Sequence, residues 1–526
     1  MNTQLKTYGA DLLANAVEAV YAVGQTDYSI EPLVRLDPTG QPLGRVKQGD
    51  SVIFCCRRGE REIELTEAFT DPEFSHFPRN PLQLSKFIIL TLYHDKFKDL
   101  PVAFAPAKVQ ETLGEAISRA GLRQLRCSES EKFAHITFFF NGGDNEPFAG
   151  EDRIRIPSPK GVPFDQVPGL SLPEVARNVI QGLHAGYDFV LTNFANGDVI
   201  GHTANTQAKI ECARAVDRHL SEVVENALHL GYVVAVTADH GNLELMLTDE
   251  GKPHVAHTTN QVPFILIDPH ASQPLALMDG SLRDIAPTLL NILDLPVPQK
   301  MTGLNLAQGH SWGQRRKTLL IILDGWGNGQ QDQTNPIHLA DTPYWDGLIR
   351  RYPPAALHAS GEAVGLQAGK AGNSEAGHMN LGAGRVVPQD DVRLDDAMQD
   401  GSFFTNDVFL QAIDEVIAKK TSLHLIGLLT EKSSHGSIDY PLAILKMARD
   451  RGLQDVNLHL IFDGRSTEPG SAPALLGKLE GLMTEIGIGQ VVTGVGRGIA
   501  LDRDGNYAKI KRTYDALVSG TGRQYS

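Results

Sequence analysis

Three apolar runs in the sequence stop at residues that can hold a metal ion. "TNFANGDVIGH" places Asp198 and His202 just beyond one run, "TADHGN" places Asp239 and His240 beyond a second, and "TLLIILDGWG" stops at Asp324. "KPHVAHTTN" adds His254 and His257, and "AGNSEAGHMN" adds Ser374. Taken singly, an Asp after a strand is most often a turn or cap residue, and a Ser flanked by Asn and Glu a helix cap. Taken together they describe a donor set. Carboxylate and imidazole in one site suit manganese or zinc, which accept both. Two such ions roughly 3.5–4 Å apart can clamp a transferring phosphoryl group and lower the pKa of a bound hydroxyl. Ser374 would then be a nucleophile that needs no neighbouring base.

A second constellation is basic. "CCRRGER" carries Arg58 and Arg61, "GVGRGIALDRD" carries Arg497 and Arg503, "FDGRST" carries Arg465, and "SESEKFAH" carries Lys132. Each arginine alone reads first as a solvated surface charge. Several of them among glycines and strand ends, in a chain of net charge −15, suit bidentate capture of phosphate and carboxylate.

The elements that must position these groups alternate along the chain. "YDFVLTNF", "YVVAVTA", "VPFILID" and "TLLIILD" read as strands buried on both faces, and "SLPEVARNVIQGLHAG" and "AKIECARAVDRHLSEVVENALHLG" read as amphipathic helices between them. That alternation predicts a mostly parallel, doubly wound sheet with helices on both faces, whose functional groups gather beyond the carboxyl ends of the strands. A second α/β set follows Gln399, including "SLHLIGLL", "VNLHLIFDG" and "QVVTGVG", and "DSVIFCC" supplies a strand near the start. Residues 297–316, polar and containing Gly and Pro, read as a connector. The 526 residues suggest two to four domains, and 41% hydrophobic with 21% charged residues is ordinary for a globular enzyme. The acidic balance argues against nucleic-acid or anionic-membrane partners, and no apolar run reaches the ~18 residues of a membrane helix. The N-terminal stretch lacks a secretory pattern, and four cysteines, two of them adjacent, do not make a disulfide framework. Both readings fit the cytoplasm.

"LLIILDGWG", "GNSEAGHMNLGAGR", "NFANGDVIGHT", "TADHGN" and "HTTNQVPF" resemble the cofactor-independent phosphoglycerate mutases of the alkaline-phosphatase superfamily. The resemblance covers nearly the whole chain, but in a rotated order. In that family the "LDGWG" strand lies near the N-terminus and "TADHGN" near the C-terminus, so this chain looks circularly permuted, with the connector at 297–316 joining the family's usual termini. The resemblance implies a phosphatase-like metal domain at 106–392 and a smaller α/β transferase domain built from 1–105 and 393–526. It assigns one metal to Asp198, His202 and His257, and the other to Asp324, Ser374, Asp239 and His240. Manganese is the first expectation for the two divalent ions, with zinc or cobalt as alternatives, and no bisphosphoglycerate is needed. Ser374 would take the phosphoryl group from 3-phosphoglycerate and return it to the 2-position. Lys132 would stabilise the transferring charge and His435 would share the catalytic role. Arg58, Arg61, Arg465, Arg497 and Arg503, with Ser466, would bind the substrate. The family expectation is a monomer acting on this small molecule.

The departures fall in the transferase segments. Ser466 stands in "DGRS" where the family has a second aspartate, the group expected to move protons on the glycerate hydroxyls. "TEKSSHGS" keeps His435 and loses a second histidine. "GI" replaces an aromatic pair in "GRGIALDRD", and "FCCRRGER" replaces a phenylalanine-rich version. Two alternatives therefore stand beside the mutase. One is a metal-dependent phosphatase or phosphomutase on another small phosphate ester, and the other is a catalytically idle binding relative.

Overall fold

A computed structural model describes residues 7–57, 61–106, 108–310, 312–431, 433 and 435–526. The chain divides into two compact units, one formed by Met1–Pro106 with Arg393–Ser526 and the other by Ala107–Val392.

The unit of residues 107–392 is built on an eight-stranded sheet. Its order is Glu151–Ile156, Gln124–Glu129, Phe189–Phe194, Thr318–Leu323, Val233–Thr237, Val262–Ile267, Ala355–His358 and Gly280–Ser281. The first five strands run parallel, and Val262–Ile267 is antiparallel to both of its neighbours. Every residue of Phe189–Phe194, Val233–Thr237 and Thr318–Leu323 is buried. That explains their unbroken apolar sequences: helices such as Leu172–His184 and Thr206–His229 pack on the sheet, so no strand face meets water.

Register positions the chemistry. Thr318–Leu323 lies between the two other strands, pairing Leu323 with Phe194 on one side and Ile322 with Thr237 on the other. Asp324 and Asp239 each follow their matched residues by two positions, so they leave the sheet at one level. Asp198 lies four residues beyond Phe194 in the short helix Asn196–Gly201. The Gly that follows Asp324 is required twice over. Gly325 has φ +71°, and a Cβ there would come within 2.7 Å of the Asp198 backbone nitrogen.

The other unit carries a seven-stranded sheet in the order Arg523–Tyr525, Leu33–Arg35, Gln490–Gly496, Val456–Phe462, Leu423–Leu429, Ser51–Cys55 and Lys86–Ile89. Strands from both ends of the chain interleave in it. Leu423–Leu429 is parallel both to Val456–Phe462 and to Ser51–Cys55, while Leu33–Arg35 is antiparallel to Gln490–Gly496. Helices Ala10–Tyr21 and Ala472–Ile486, at opposite ends of the sequence, share one apolar core. The α/β class expected from the alternating pattern holds in both units. Among the described residues no helix is long and apolar enough to cross a membrane.

Candidate metal centre and arginine cluster

Ser374 begins the helix Ser374–Ala383. The capping role that its flanking residues suggested belongs to Asn373, whose side chain accepts from the Ala376 amide at 2.9 Å. The Ser374 hydroxyl is thereby released to point elsewhere. It accepts from Lys132 Nζ at 2.6 Å, lies 3.0 Å from His240 Nε2 and donates to Asp324 Oδ1 at 3.3 Å. The positive end of the helix dipole lies at this residue and favours negative charge on its oxygen.

Around it the expected donors converge. Lys132 Nζ also donates to Asp198 Oδ2 at 2.6 Å and lies 2.7 Å from Asp324 Oδ1. His240 Nε2 is 3.5 Å from Asp239 Oδ2, 3.7 Å from Asp324 Oδ1 and 3.8 Å from Asp198 Oδ1. His202 Nε2, His257 Nε2 and Asp198 Oδ1 form a triangle with sides of 3.0, 3.0 and 3.2 Å. His254 is not part of either donor group among the described residues. Its backbone carbonyl instead accepts from Lys209 Nζ at 2.6 Å.

The histidines show that this donor set fits a cation. His202, His240 and His257 each place Nδ1 against a backbone carbonyl, those of Val255 at 2.9 Å, Gly241 at 3.2 Å and Gly372 at 2.7 Å. A carbonyl can only accept, so Nδ1 carries the hydrogen and Nε2 turns a lone pair into the site. Two such lone pairs 3.0 Å apart, beside a carboxylate, repel unless a positive charge joins them. Asp239 Oδ2 is also buried without a hydrogen bond. Two three-residue donor groups share His240: Asp198 with His240 and His257, and Asp239 with His240 and Asp324. The oxygen and imidazole chemistry suits a divalent transition ion.

Electrostatics point the same way. Burial pushes the Asp198 carboxyl up, but the Lys132 ammonium, the strongest opposing influence, holds it well below the usual carboxylate range. Burial acts on Asp239 in the same sense and is outweighed by His240 and His378, so that group is also lowered. Asp324 is raised, first by burial and then by the charge of Asp239. Burial works against the Lys132 ammonium, yet Asp324, Asp198 and Asp239 keep it charged well above its ordinary range. Three carboxylates against one ammonium leave the pocket short of positive charge.

Three supporting residues were missed in the sequence, and Asn193 and Asn242 carried no readable signal there. Asn193 donates to Asp324 Oδ2 at 2.6 Å, and Asn242 donates to Asp198 Oδ1 at 2.9 Å. His378, one helical turn after Ser374, is fully buried, with Nδ1 3.3 Å from Asp239 Oδ2. The "SEAGH" spacing, with its i and i+4 positions on one helix face, was the available clue to His378.

In the other unit the basic residues separate. Arg497 opens the helix Arg497–Ala500, is buried and bonds to Asp463 Oδ1. Arg61 is buried and donates to the Leu501 carbonyl at 3.0 Å. Arg465 and Ser466 lie exposed on the turn after Val456–Phe462, and Arg503 is exposed as well. Arg58 lies outside the described residues. His435 has its Nδ1 3.7 Å from Glu62 Oε1. Burial of Arg61 and Arg497 but not of Arg465 and Arg503 is the distinction that spacing alone did not supply.

The family model for the metalloenzyme superfamily matches residues 25–297, and a model described as the BPG-independent PGAM N-terminus matches residues 394–526. The segment described as an N-terminus therefore lies downstream of the metalloenzyme match. Among curated proteins, the 2,3-bisphosphoglycerate-independent phosphoglycerate mutase of Moorella thermoacetica is 45% identical over 294 residues, covering 56% of this chain and 56% of that protein. The protein of the same name from Cyanothece sp. is 43% identical over 305 residues, covering 56% of this chain and 55% of the relative. The chain thus spans little more than half the length of the curated relatives it matches. A crystal structure of Leishmania mexicana phosphoglycerate mutase at low cobalt concentration matches 51% of this chain and 52% of that one, at 28% identity and a TM-score of 0.42. The model match over residues 25–297 spans just over half of the chain and gives one conclusion: the chain belongs to the metalloenzyme superfamily.

Proposed function

We propose that this protein interconverts 3-phosphoglycerate and 2-phosphoglycerate through a phosphoserine at Ser374, with two divalent ions as cofactors. The observation that carries the reading is the Ser374 hydroxyl, held within 2.6 Å of an ammonium and 3.0 Å of an inward-facing imidazole nitrogen at a helix N-terminus. Asp198, His202 and His257 would hold one ion, and Asp239, His240 and Asp324 with Ser374 the other. Manganese is the first expectation. Bound there, divalent cations would lower the pKa of the serine hydroxyl and offset the charge of the phosphoryl oxygens.

The remaining steps belong to the chain's own groups. Ser374 Oγ bonds to phosphorus as the substrate C–O oxygen leaves, and later gives the phosphoryl group back to the other hydroxyl of glycerate. Lys132 follows the charge, since its ammonium already bridges Ser374, Asp198 and Asp324. Asn193 and Asn242 hold the two carboxylates in register with the serine. Arg61, Arg465, Arg497, Arg503 and Arg58 bind the phosphate and carboxylate of the substrate. The order of the family matches supports a circular permutation, with 297–316 joining the family's usual termini.

Hydrolysis of a small phosphate ester is the second reading. Ser466, in place of an acid, favours it, because an exposed hydroxyl with no described hydrogen bond cannot relay a proton near neutral pH. One assay separates the two. Metal-loaded protein is incubated with 3-phosphoglycerate and no bisphosphoglycerate while 2-phosphoglycerate and free phosphate are followed. Formation of 2-phosphoglycerate supports the mutase. Phosphate as the sole product overturns it in favour of the hydrolase, and absence of both with manganese, cobalt and zinc leaves a binding role.

A further inference from the structure

Glu244 is 1% exposed and receives hydrogen bonds from four residues, two on each carboxylate oxygen. Oε2 accepts the backbone amide of Asn242 at 2.8 Å and that of Gly327 at 3.0 Å. Oε1 accepts the side-chain amide of Asn260 at 2.9 Å and the hydroxyl of Thr258. All of these residues belong to the unit of residues 107–392. A carboxylate offers about four lone-pair positions, so these donors take all of them.

The donors come from three separate loops, and each loop carries part of the candidate metal set. Asn242 follows Asp239 and His240, Gly327 follows Asp324, and Thr258 and Asn260 follow His257. The bonds run on from there. Asn242, fixed through its backbone amide, donates its side chain to Asp198 Oδ1 at 2.9 Å. Thr258 donates its backbone amide at 3.0 Å to the Gly241 carbonyl, which also receives His240 Nδ1 at 3.2 Å. The second glycine of "GWG" shows how closely the loops fold over the carboxylate: a Cβ at Gly327 would lie 2.4 Å from Glu244 Cδ. Another buried side chain holds the far end of the His257 loop, where Lys209 Nζ donates to the His254 carbonyl at 2.6 Å. A residue that only stabilised its own turn would bond within one loop. Glu244 instead gives one oxygen to the loops of Asp239, His240 and Asp324, and the other to the loop of His257.

We infer that Glu244 is a positioning residue for the metal centre, whose carboxylate sets the spacing between the two donor groups without itself being a ligand. The role rests on the metal reading of the donor set and is independent of whether the product is 2-phosphoglycerate or free phosphate. A glutamine in this place cannot satisfy the same four donors. The amides of Asn242 and Gly327 can only donate, so the glutamine oxygen must stay with them and its NH2 must face Thr258 and Asn260. Both of those side chains donate toward Glu244 and would have to turn round, so the His257 loop is the part that loosens.

The test titrates metal-stripped wild type and Glu244→Gln with manganese, with the free ion read by electron paramagnetic resonance. Residues that orient metal ligands from outside typically contribute about 10–100-fold in affinity, so the variant should bind manganese at least about tenfold more weakly. Its cobalt-loaded form should show altered visible absorption, because those bands report the arrangement of the ligands. Denaturant unfolding of the metal-stripped proteins is measured alongside. A variant that is less stable without metal, yet binds manganese as wild type does with an unchanged cobalt spectrum, has lost a structural contact only and overturns the role. Wild type that binds neither manganese nor cobalt overturns the metal reading and this role with it. If Glu244→Gln fails to fold, Thr258→Val, which removes one donor to Oε1 and keeps the shape of the side chain, must weaken manganese binding and alter the cobalt spectrum. Unchanged binding there also overturns the proposal.

Discussion

Lys132 Nζ lies 2.6 Å from the Ser374 hydroxyl oxygen, and the same ammonium touches Asp198 and Asp324. One buried cation therefore bridges two carboxylates and faces the atom that would carry the phosphoryl group. Replacing Lys132 with Met keeps most of the stem volume and removes the charge. Turnover should fall by about 10²–10³-fold, the usual effect of removing one group that stabilises transition-state charge. Steady-state kinetics of the purified variant check this, and a change of less than tenfold counts against a role in the transfer.

Metal should stabilise the fold, because the donors belong to separate elements: a helix after one strand, the ends of two others, and the loop carrying His257. At a free ion concentration of about 100 Kd, a single site adds about 2.7 kcal/mol. Manganese should therefore raise the melting temperature of metal-stripped protein by several degrees. Asp239→Asn and His257→Ala should reduce that rise and the metal retained after gel filtration. A melting curve insensitive to manganese, cobalt and zinc contradicts the site.

Gly325 carries both a left-handed backbone and a close approach to Asp198. Gly325→Ala should destabilise the protein by more than about 1 kcal/mol and displace Asp198 from the donor triangle. Denaturant unfolding measures the first effect and metal affinity the second. Unchanged values for both would mean that the turn tolerates a side chain.

The Asp and strand relationships behind these predictions were legible in the sequence, because each runs along the chain; the approach of Gly325 to Asp198 was not. Asp324, Asp239 and Asp198 end apolar runs that can only be buried strands, and parallel strands bring such ends together. What lay across the chain was not legible. Nothing in "AGNSEAGHMN" says that Asn373, rather than Ser374, satisfies the helix amides. Nothing around His202, His240 or His257 shows that each Nδ1 meets a carbonyl, which is what turns Nε2 inward. Glu62 sits in the string "RRGEREIE", where a glutamate reads as a surface charge until the fold buries it against His435. Arg497 and Arg503 are only six positions apart in one segment, yet one is buried on Asp463 and the other exposed.

Glu129, at the end of the strand Gln124–Glu129, supplies a pH test away from the metal donors. Burial pushes its carboxyl up to about 7, although the Ser158 hydroxyl and the Ser171 amide, 2.9 Å from Oε1, oppose the shift. A carboxyl whose pKa is higher folded than unfolded favours the fold at low pH. That contribution is complete below about 4.5 and is lost as pH rises through about 7. Wild type should therefore lose stability relative to Glu129→Gln between pH 5 and pH 8. Thermal unfolding of both proteins across that range checks it, and a constant difference contradicts a buried, titrating carboxyl.

The most direct test of the account is the chemical state of Ser374 during reaction. Metal-loaded protein is mixed with 3-phosphoglycerate, quenched in acid within the first turnovers, and digested for mass spectrometry of the peptide that contains Ser374. A phosphorylated Ser374 that appears with substrate and disappears when it is exhausted, with no turnover in Ser374→Ala, is the predicted result. Turnover that persists in Ser374→Ala, with no phosphoserine trapped in the wild type, would contradict it.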